Sequence, residues 1–446
     1  MIGWIVLAII IAVELGMMGY AISQKKNIKK ERAVIRIVIF GVAVLATILK
    51  IIEWNFSVIG MYLLLFLLAI YSVVVFIKDA IQVLKVKDYT KGRTVRHTVL
   101  MIVLIGFSVV PILIFPQYKQ LNTTGQYESK TASYTWTDKS RQEILSENQA
   151  ARNVTVEFYY PSQYKDGTEL AAKETFPLIV FSHGAFGFIK SNYSLYKDLA
   201  SNGYIVCSIS HTYHAFFTEE TNGSMKLVNT KFMQEALDAT NGLYSNEEEK
   251  ELENKWMAVR TGDINFILNT IEQMLKENST DPAFEHMNID KIGLIGHSLG
   301  GASSVQIARE RDNIAAVVVL DGTHIGERID IANGEWVYNE EPLNVPVLDM
   351  RAENHSSAIQ HSDNEYVNNH TLQVAIAGQA VTILGTSHMN FTDLPMFSPM
   401  LAKMLGTGTC DAQKCTEQID SIALQWFNYY IKGDTVLDVQ DIYEIK

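Results

Sequence analysis

The hydrophobic pattern divides the chain in two. Up to about residue 115, apolar residues come in four long runs, about 3–22, 33–52, 58–77 and 97–115, with short charged loops between them and no polar face within them. Each run approaches the ~20 residues a helix needs to cross a bilayer. One such run would suit a buried core helix; four in succession predict four transmembrane helices. Beyond about residue 150 the runs shorten. Segments 154–160, 178–182, 204–210, 291–296, 314–320, 345–350 and 380–384 are strand-like and rich in apolar residues, and amphipathic stretches lie between them at 193–201, 256–275, 299–309 and 422–431. Continuous apolar strands alternating with helices predict a mainly parallel sheet covered on both faces, a doubly wound α/β domain over 151–446.

Two segments stand outside this alternation. Residues 117–150 are polar, rich in Gln, Tyr, Asn, Thr and Ser, and without sustained periodicity; they read as a linker with some strand character. Residues 212–255 hold His214, Phe216, Phe217, Phe232 and Met233 before an acidic run at 247–253. An insertion of that length is either a lid over the active-site end of the sheet or a solvated helical excursion, and the pattern leaves both open.

Charge sharpens the division. The first 115 residues carry 13 Lys and Arg against 5 Asp and Glu, and the remainder 24 against 44. So acidic a second part argues against nucleic-acid binding. The basic residues of the first part fall in alternate loops: Lys25, Lys26, Lys29, Lys30 and Arg32 in the first, Lys78, Lys85, Lys87, Lys91, Arg93 and Arg96 in the third, none around 53–57. Because Lys and Arg in short loops stay on the cytoplasmic side, both termini and the α/β domain are expected outside the cell, on a multi-pass protein of the cell membrane. No positive segment precedes the first apolar run, so the first helix is expected to remain as an anchor and not to be cleaved as a signal peptide. Glu14, in the middle of that helix, is the one conspicuous ionisable residue there, explained by function or by pairing with Arg36 or another helix. Of three cysteines, Cys207 suits a buried strand, whereas Cys410 and Cys415 are near enough in sequence to bridge, with geometry deciding.

Residues 296–300 read Gly-His-Ser-Leu-Gly, followed by Gly301, with a strand-like run before them and a helical stretch after. That is the context of a nucleophile elbow, in which a serine sits on a strained turn and small neighbours let the backbone fold tightly. Ser298 then needs a base, and the base needs an orienting acid. In an α/β-hydrolase these follow in the order Ser, acid, His. His388, in the loop after the last apolar strand, is the expected base. Asp321, at the end of the strand that follows the elbow, is the expected acid because a rigid strand end orients an imidazole best. Glu353, beyond the next strand, is its rival. The oxyanion donors are expected at Leu299 and, in the loop after 178–181, at Ala185 or Gly184.

These pieces resemble a known family, the platelet-activating factor acetylhydrolases of the plasma and intracellular type-two group with their bacterial relatives. The matching residues are 176–184 (Phe-Pro-Leu-Ile-Val-Phe-Ser-His-Gly), 198–206, 211–213, 296–301, 320–322 and 388–395 (His-Met-Asn-Phe-Thr-Asp-Leu-Pro). The resemblance implies a calcium-independent α/β-hydrolase that cleaves short or oxidised sn-2 acyl chains from phospholipids, with Ser298, Asp321 and His388 as its triad. The four amino-terminal helices have no counterpart in the animal enzymes.

The expected function is therefore serine carboxylic-ester hydrolysis through an acyl-enzyme, on short-chain or phospholipid-like esters at the outer membrane surface, without metal or cofactor. An acyltransferase using the same triad, and a non-catalytic receptor on a hydrolase fold, are the alternatives. A metal site among His355, His361, Asp363 and His370 is disfavoured, because no pair has the spacing of a zinc helix.

Overall fold

Each of the four apolar runs is a helix: α1 (Ile2–Ser23), α2 (Lys29–Ile48), α3 (Phe56–Ala80) and α4 (Lys91–Ile114). The computed structural model describes residues 2–146, 150–277, 279–360 and 366–445. It divides into two compact units, Met1–Lys119 with Pro395–Met404, and Gln120–Leu394 with Leu405–Lys446. In the helical unit, Asn55 caps α3 by accepting from the Ser57 amide at 2.9 Å, satisfying a donor that the first turn leaves free. Among the described residues α3 and α4 are the two helices long and apolar enough to cross a membrane. Among the described residues the apolar stretch of α1 counted is Leu7–Ser23, which falls short of that length, and α2 opens on Lys29, Lys30, Glu31 and Arg32. The expectation of four spanning helices thus meets two that satisfy the criterion of length and composition. Glu14 and Arg36 are both buried, with their charged atoms 3.9 Å apart. The Ser398 hydroxyl donates to the Ile114 carbonyl at 2.7 Å, and the Phe397 and Phe115 rings stack.

The second unit is built on strands β1 (Tyr127–Gln142), β2 (Ala151–Tyr164) and β3 (Phe176–Ser182), helix α5 (Tyr193–Ser201) and strand β4 (Ile205–Ser210). A small hairpin, β5 (Phe217–Glu219) and β6 (Met225–Leu227), leads to α6 (Thr230–Thr240), the long α7 (Asn246–Lys276) and the single turn α8 (Pro282–Glu285). Strand β7 (Met287–His297), helix α9 (Leu299–Glu310) and strand β8 (Ile314–Leu320) follow, then a second hairpin, β9 (Arg328–Ala332) and β10 (Glu335–Tyr338). The chain continues through β11 (Val347–Ala352), α10 (Glu353–Gln360), α11 (Val367–Val374) and β12 (Gly378–Leu384). It passes through α12 (Leu394–Phe397) and α13 (Pro399–Leu405), and ends with α14 (Ala412–Phe427) and β13 (Ile442–Glu444).

Nine of these strands form one sheet in the order β1-β2-β4-β3-β7-β8-β11-β12-β13. Pairing is antiparallel from β1 to β4 and parallel from there on. Side chains alternate across it: Leu178 and Val180 pack on one face with Ile264 and Ile267 of α7, while Ile179 and Phe181 pack on the other with Leu195 of α5 and Ile422 of α14. Coverage of both faces explains why these strands read as unbroken apolar runs.

Residues 117–150 are not a linker throughout. Strand β1 occupies Tyr127–Gln142 and pairs along its length with β2. As an edge strand it exposes one side to water, and Tyr134 and Trp136 lie on the same face, against Phe158 and Phe284. Polar residues between the aromatics mask the period of two. The acidic run at 247–253 is likewise part of α7. Ser245 and Glu248 form a capping box at its start, and Glu247, Glu248 and Glu249 occupy the first turn, where negative charge favours the helix dipole.

Candidate active site

The parallel strands direct their carboxyl ends to one edge of the sheet, where ligands bind in open α/β folds. Ser298 follows β7 with φ 53° and ψ −123°, a strained conformation for a residue with a side chain. Its neighbours must be glycine: a Cβ on Gly296 would stand 2.2 Å from the Gly300 carbonyl carbon, and one on Gly300 1.9 Å from the Ser182 oxygen. The Ser298 amide still bonds to Leu320 O at 2.9 Å, the end of β8. The turn therefore brings Ser298 beside the residue that follows that strand, Asp321.

Asp321 is 4% exposed, and its backbone amide donates to Met350 O at 2.8 Å. One carboxylate oxygen accepts from His388 Nδ1 at 2.7 Å. The other accepts from the Ala352 amide at 2.8 Å and from His355 Nδ1 at 2.9 Å. Burial raises the Asp321 pKa, but the hydrogen bonds from His355 and His388 outweigh it and hold the carboxyl well below the usual carboxylate range. His388 lies in the short turn after β12, capped by Ser387, with 44% of its side chain exposed. The His297 ring packs on it at 4.5 Å between centroids. Because His297 Nε2 lies 3.2 Å from the His388 carbonyl, an acceptor, that nitrogen carries the proton. Burial, with the His388 charge, pushes the His297 pKa down to about 3. Glu353 opens α10 and accepts from the Gly385 amide at 2.7 Å, so it caps the turn after β12.

The loop after β3 closes over Ser298. A Cβ on Gly184 would meet His297 Nδ1 at 2.7 Å and Ser298 Cβ at 3.1 Å. The carbonyls of His183 and Gly184 accept from the Arg260 guanidinium at 2.6 and 3.1 Å. In a trans peptide the C=O and the following N–H point in opposite directions. Fixing the Gly184 carbonyl on Arg260 thus turns the Ala185 N–H away from the guanidinium. Arg260 is fully buried, and among the described residues no carboxylate lies within ion-pair distance of it. Burial lowers its pKa to about 9, with Asp263 opposing that shift. Arg260 Nε also donates to His214 Nδ1 at 3.2 Å, and the His214 ring stacks on Phe232 at 3.8 Å. Through Phe232 against Phe186, and the Phe216 amide on Gly187 O, the 212–255 insertion supports this loop.

Beneath the loop lies a second Ser, His and Asp: Ser182 Oγ is 2.9 Å from His211 Nε2, and His211 Nδ1 is 3.0 Å from Asp263. All three are buried to within 1%, so no substrate reaches them. Asp263 also accepts two bonds from Arg152, both at 2.6 Å, and one from Arg141 at 2.9 Å. Burial raises its pKa, but the Arg152 charge and hydrogen bonds, with those of His211, drive it far below the normal carboxylate range. Burial, then the Arg260 charge, pushes His211 down to about 3. The pair is therefore an ionised Asp263 accepting from a neutral His211, and it fixes the end of β3.

Residues 141–438 match the family described as platelet-activating factor acetylhydrolase, isoform II. The chain belongs to that family. Platelet-activating factor acetylhydrolases of dog, cattle and guinea pig align at 27%, 25% and 25% identity. The alignments cover 50%, 53% and 61% of this chain, and 50%, 52% and 62% of the respective relatives. The chain thus spans about half the length of the curated relatives it matches. A ferulic acid esterase from Streptomyces cinnamoneus superposes with a TM-score of 0.52 at 20% identity, over 72% of this chain and 95% of the esterase. That likeness carries the fold, an α/β-hydrolase with a mostly parallel central sheet.

In this member of the platelet-activating factor acetylhydrolase family, Ser298, Asp321, His388, Leu299 and Gly184 gather at one edge of the sheet. Sequence reasoning missed Arg260, Asp263 and Arg152, which lie inside an amphipathic helix and a strand where charged residues read as solvent-facing. It also missed His355, which is on α10 and bonded to Asp321, away from any metal cluster. His361 and Asp363 lie outside the described residues. Among those described, no three side chains are grouped as metal ligands.

The charge network makes a stability prediction. A carboxylate whose folded pKa is depressed stabilises the fold above its unfolded pKa of about 3.9 and loses that contribution as pH falls toward the folded value. Asp263 and Asp321 both shift in that direction, so the sheet unit should be stable above about pH 4 and weaken progressively below it. Asp263→Asn should lower stability at pH 7 by roughly 3–5 kcal/mol, as when one partner of a buried ion pair is removed, and flatten the acid limb. Urea unfolding at several pH values, followed by circular dichroism, checks this; a variant with wild-type midpoints throughout would contradict it.

Proposed function

We propose that this protein is a serine carboxylic-ester hydrolase acting through an acyl-enzyme on short-chain or phospholipid-like esters. One observation carries the reading: a serine in a strained elbow lies beside a buried, ionised aspartate that holds the Nδ1 of an accessible histidine at 2.7 Å. Family membership supports it.

In this reading Ser298 Oγ attacks the ester carbonyl carbon while His388 Nε2 takes its proton, and Asp321 stabilises the imidazolium that forms. The N–H groups of Leu299 and Ala185 receive the oxyanion. Collapse of the tetrahedral adduct breaks the bond to the alkoxy oxygen, which leaves as an alcohol with the proton from His388. Water then attacks the acyl-serine, giving up a proton to His388; the acid departs and Ser298 regains its hydrogen.

Ser298→Ala should reduce ester turnover by a factor on the order of 10⁵ or more and abolish fluorophosphonate labelling, with the fold intact. Asp321→Asn should cost ~10⁴, since the imidazole then takes the wrong tautomer, and Glu353→Gln little. A variant keeping a tenth of wild-type turnover after Ser298→Ala, or the opposite ranking of the two acids, would overturn the assignment. Arg260→Gln should free the His183 carbonyl, leave the Gly184 carbonyl on His183 Nδ1 alone, and lower kcat by ~10² with KM nearly unchanged, the scale of losing one oxyanion donor. Equal kcat in the variant and wild type would show that Arg260 does not hold that loop.

We further propose that α1 to α4 all span the cell membrane, with both termini and the hydrolase domain outside. The supporting pattern is the concentration of Lys and Arg at the first and third loops, where Lys25, Lys26, Lys29, Lys30 and Arg32, and Lys78, Lys85, Lys87, Lys91, Arg93 and Arg96 lie, against Lys50 alone at the second. In a variant lacking Cys410, a cysteine replacing Trp54 should react with a membrane-impermeant maleimide added to intact cells, and one replacing Lys87 should react only after permeabilisation. The reverse pattern would invert the topology.

A further inference from the structure

We infer that His355 is a positioning residue, a second histidine that fixes the plane of the Asp321 carboxylate for His388. The inference rests on the reading of Ser298, Asp321 and His388 as the triad. A carboxylate held by one histidine can still rotate about its Cβ–Cγ bond. Here His388 takes one oxygen, and His355 Nδ1, with the Ala352 amide, takes the other at 2.9 and 2.8 Å. Asp321 thereby accepts hydrogen bonds from three protein donors on three separate elements.

His355 is itself held. Its Nε2 is 2.7 Å from the Tyr366 hydroxyl at the start of α11, and that hydroxyl is 3.2 Å from Thr323 Oγ1. The His355 and Tyr366 rings meet edge to face at 5.4 Å. Arg351 stands over the Tyr366 ring at 5.6 Å and donates to Asp349 at 2.7 Å. In the neutral form Nδ1–H donates to Asp321 and Nε2 accepts from Tyr366. In the charged form Nε2–H donates to the tyrosine oxygen, whose own hydrogen turns to Thr323.

The groups acting on His355 come from every element around it: Asp321 after β8, Asp349 and Arg351 on β11, His324 in the loop after β8, Tyr366 and His388. Burial and Arg351 disfavour its charged form, but the hydrogen bond and charge of Asp321, with Asp349, prevail and raise its pKa above 6.5. Protonation places a cation on the far oxygen of Asp321 and draws off the negative charge that stabilises the His388 imidazolium, so His388 becomes a weaker base. Ester turnover should then show an acid-side ionisation that belongs to His355 and is transmitted through Asp321.

The test compares His355→Phe and His355→Asn with wild type, using pH profiles of kcat and kcat/KM on a soluble short-chain ester, with circular dichroism and melting as folding controls. His355→Phe leaves one carboxylate oxygen short of a charge-assisted bond and should lower kcat on the order of 10-fold, with KM within about twofold. His355→Asn presents an amide N–H near the position of Nδ1 but does not titrate; it should recover most of that loss and lack the His355 ionisation. Wild-type kcat and profile in His355→Phe would overturn the inference. So would equal losses in both folded variants with the wild-type pH profile kept, since a merely structural role would not depend on the donor. Ser298→Ala and Asp321→Asn, assayed alongside, separate the cases: if they abolish turnover while His355→Phe does nothing, the inference alone fails; if Ser298→Ala is active, the triad reading fails.

Discussion

At the carboxyl edge of the sheet one buried carboxylate serves two histidines and a backbone amide, and it can do so because β8 holds its main chain in register with β7 and β11. Asp321 leaves the strand with φ 49°, so its side chain departs from a fixed platform and not from a loop. Ser298 leaves β7 next door in a similarly strained turn, and the Leu320 carbonyl ties the two ends together. Strain at both positions is tolerable only where surrounding packing over-determines the backbone. Here it does: both strands are buried on each face, and the glycines around the elbow touch the neighbouring main chain directly.

A second constraint lies one strand away. The loop after β3 turns two carbonyls into the interior, where they need donors because buried carbonyls are costly when unpaired. Arg260 supplies these donors to His183 and Gly184, and α7 carries it there from the opposite side of the loop. A guanidinium without a carboxylate partner in a dry site is unfavourable, yet Asp263, one turn along α7, offsets part of that cost at a distance while Arg152 occupies it directly. The buried Ser182, His211 and Asp263 form a second triad-like geometry, closed to any substrate. What separates the two sets is access: the His388 side chain is 44% exposed, and His211 is sealed.

The helical unit obeys different rules. Its exterior is Leu, Ile, Val and Phe, with large apolar side chains such as Leu63, Leu67 and Phe107 more than half exposed, while polar residues such as Glu14, Arg36, Ser72 and Thr98 are buried. A unit with apolar residues outward and charged residues inward suits an apolar surrounding, in which only the interior offers polar partners.

The sequence alone determined the alternation of strand and helix, the elbow at 296–300, and the candidates Asp321 and His388, because each is encoded locally: period of the apolar residues, glycines at a strained turn, position relative to a strand end. Strand β1 escaped, since an edge strand half covered by aromatics has a weak period. Only the tertiary structure could decide between Asp321 and Glu353 as the partner of His388, since both follow strands, and which carboxylate points at the imidazole depends on the order of strands in the sheet. Arg260, His355 and the Asp263 network were equally beyond the sequence. Each draws its role from residues tens of positions away, and a buried charge inside an amphipathic helix has the same local pattern as an exposed one until the sheet closes over it.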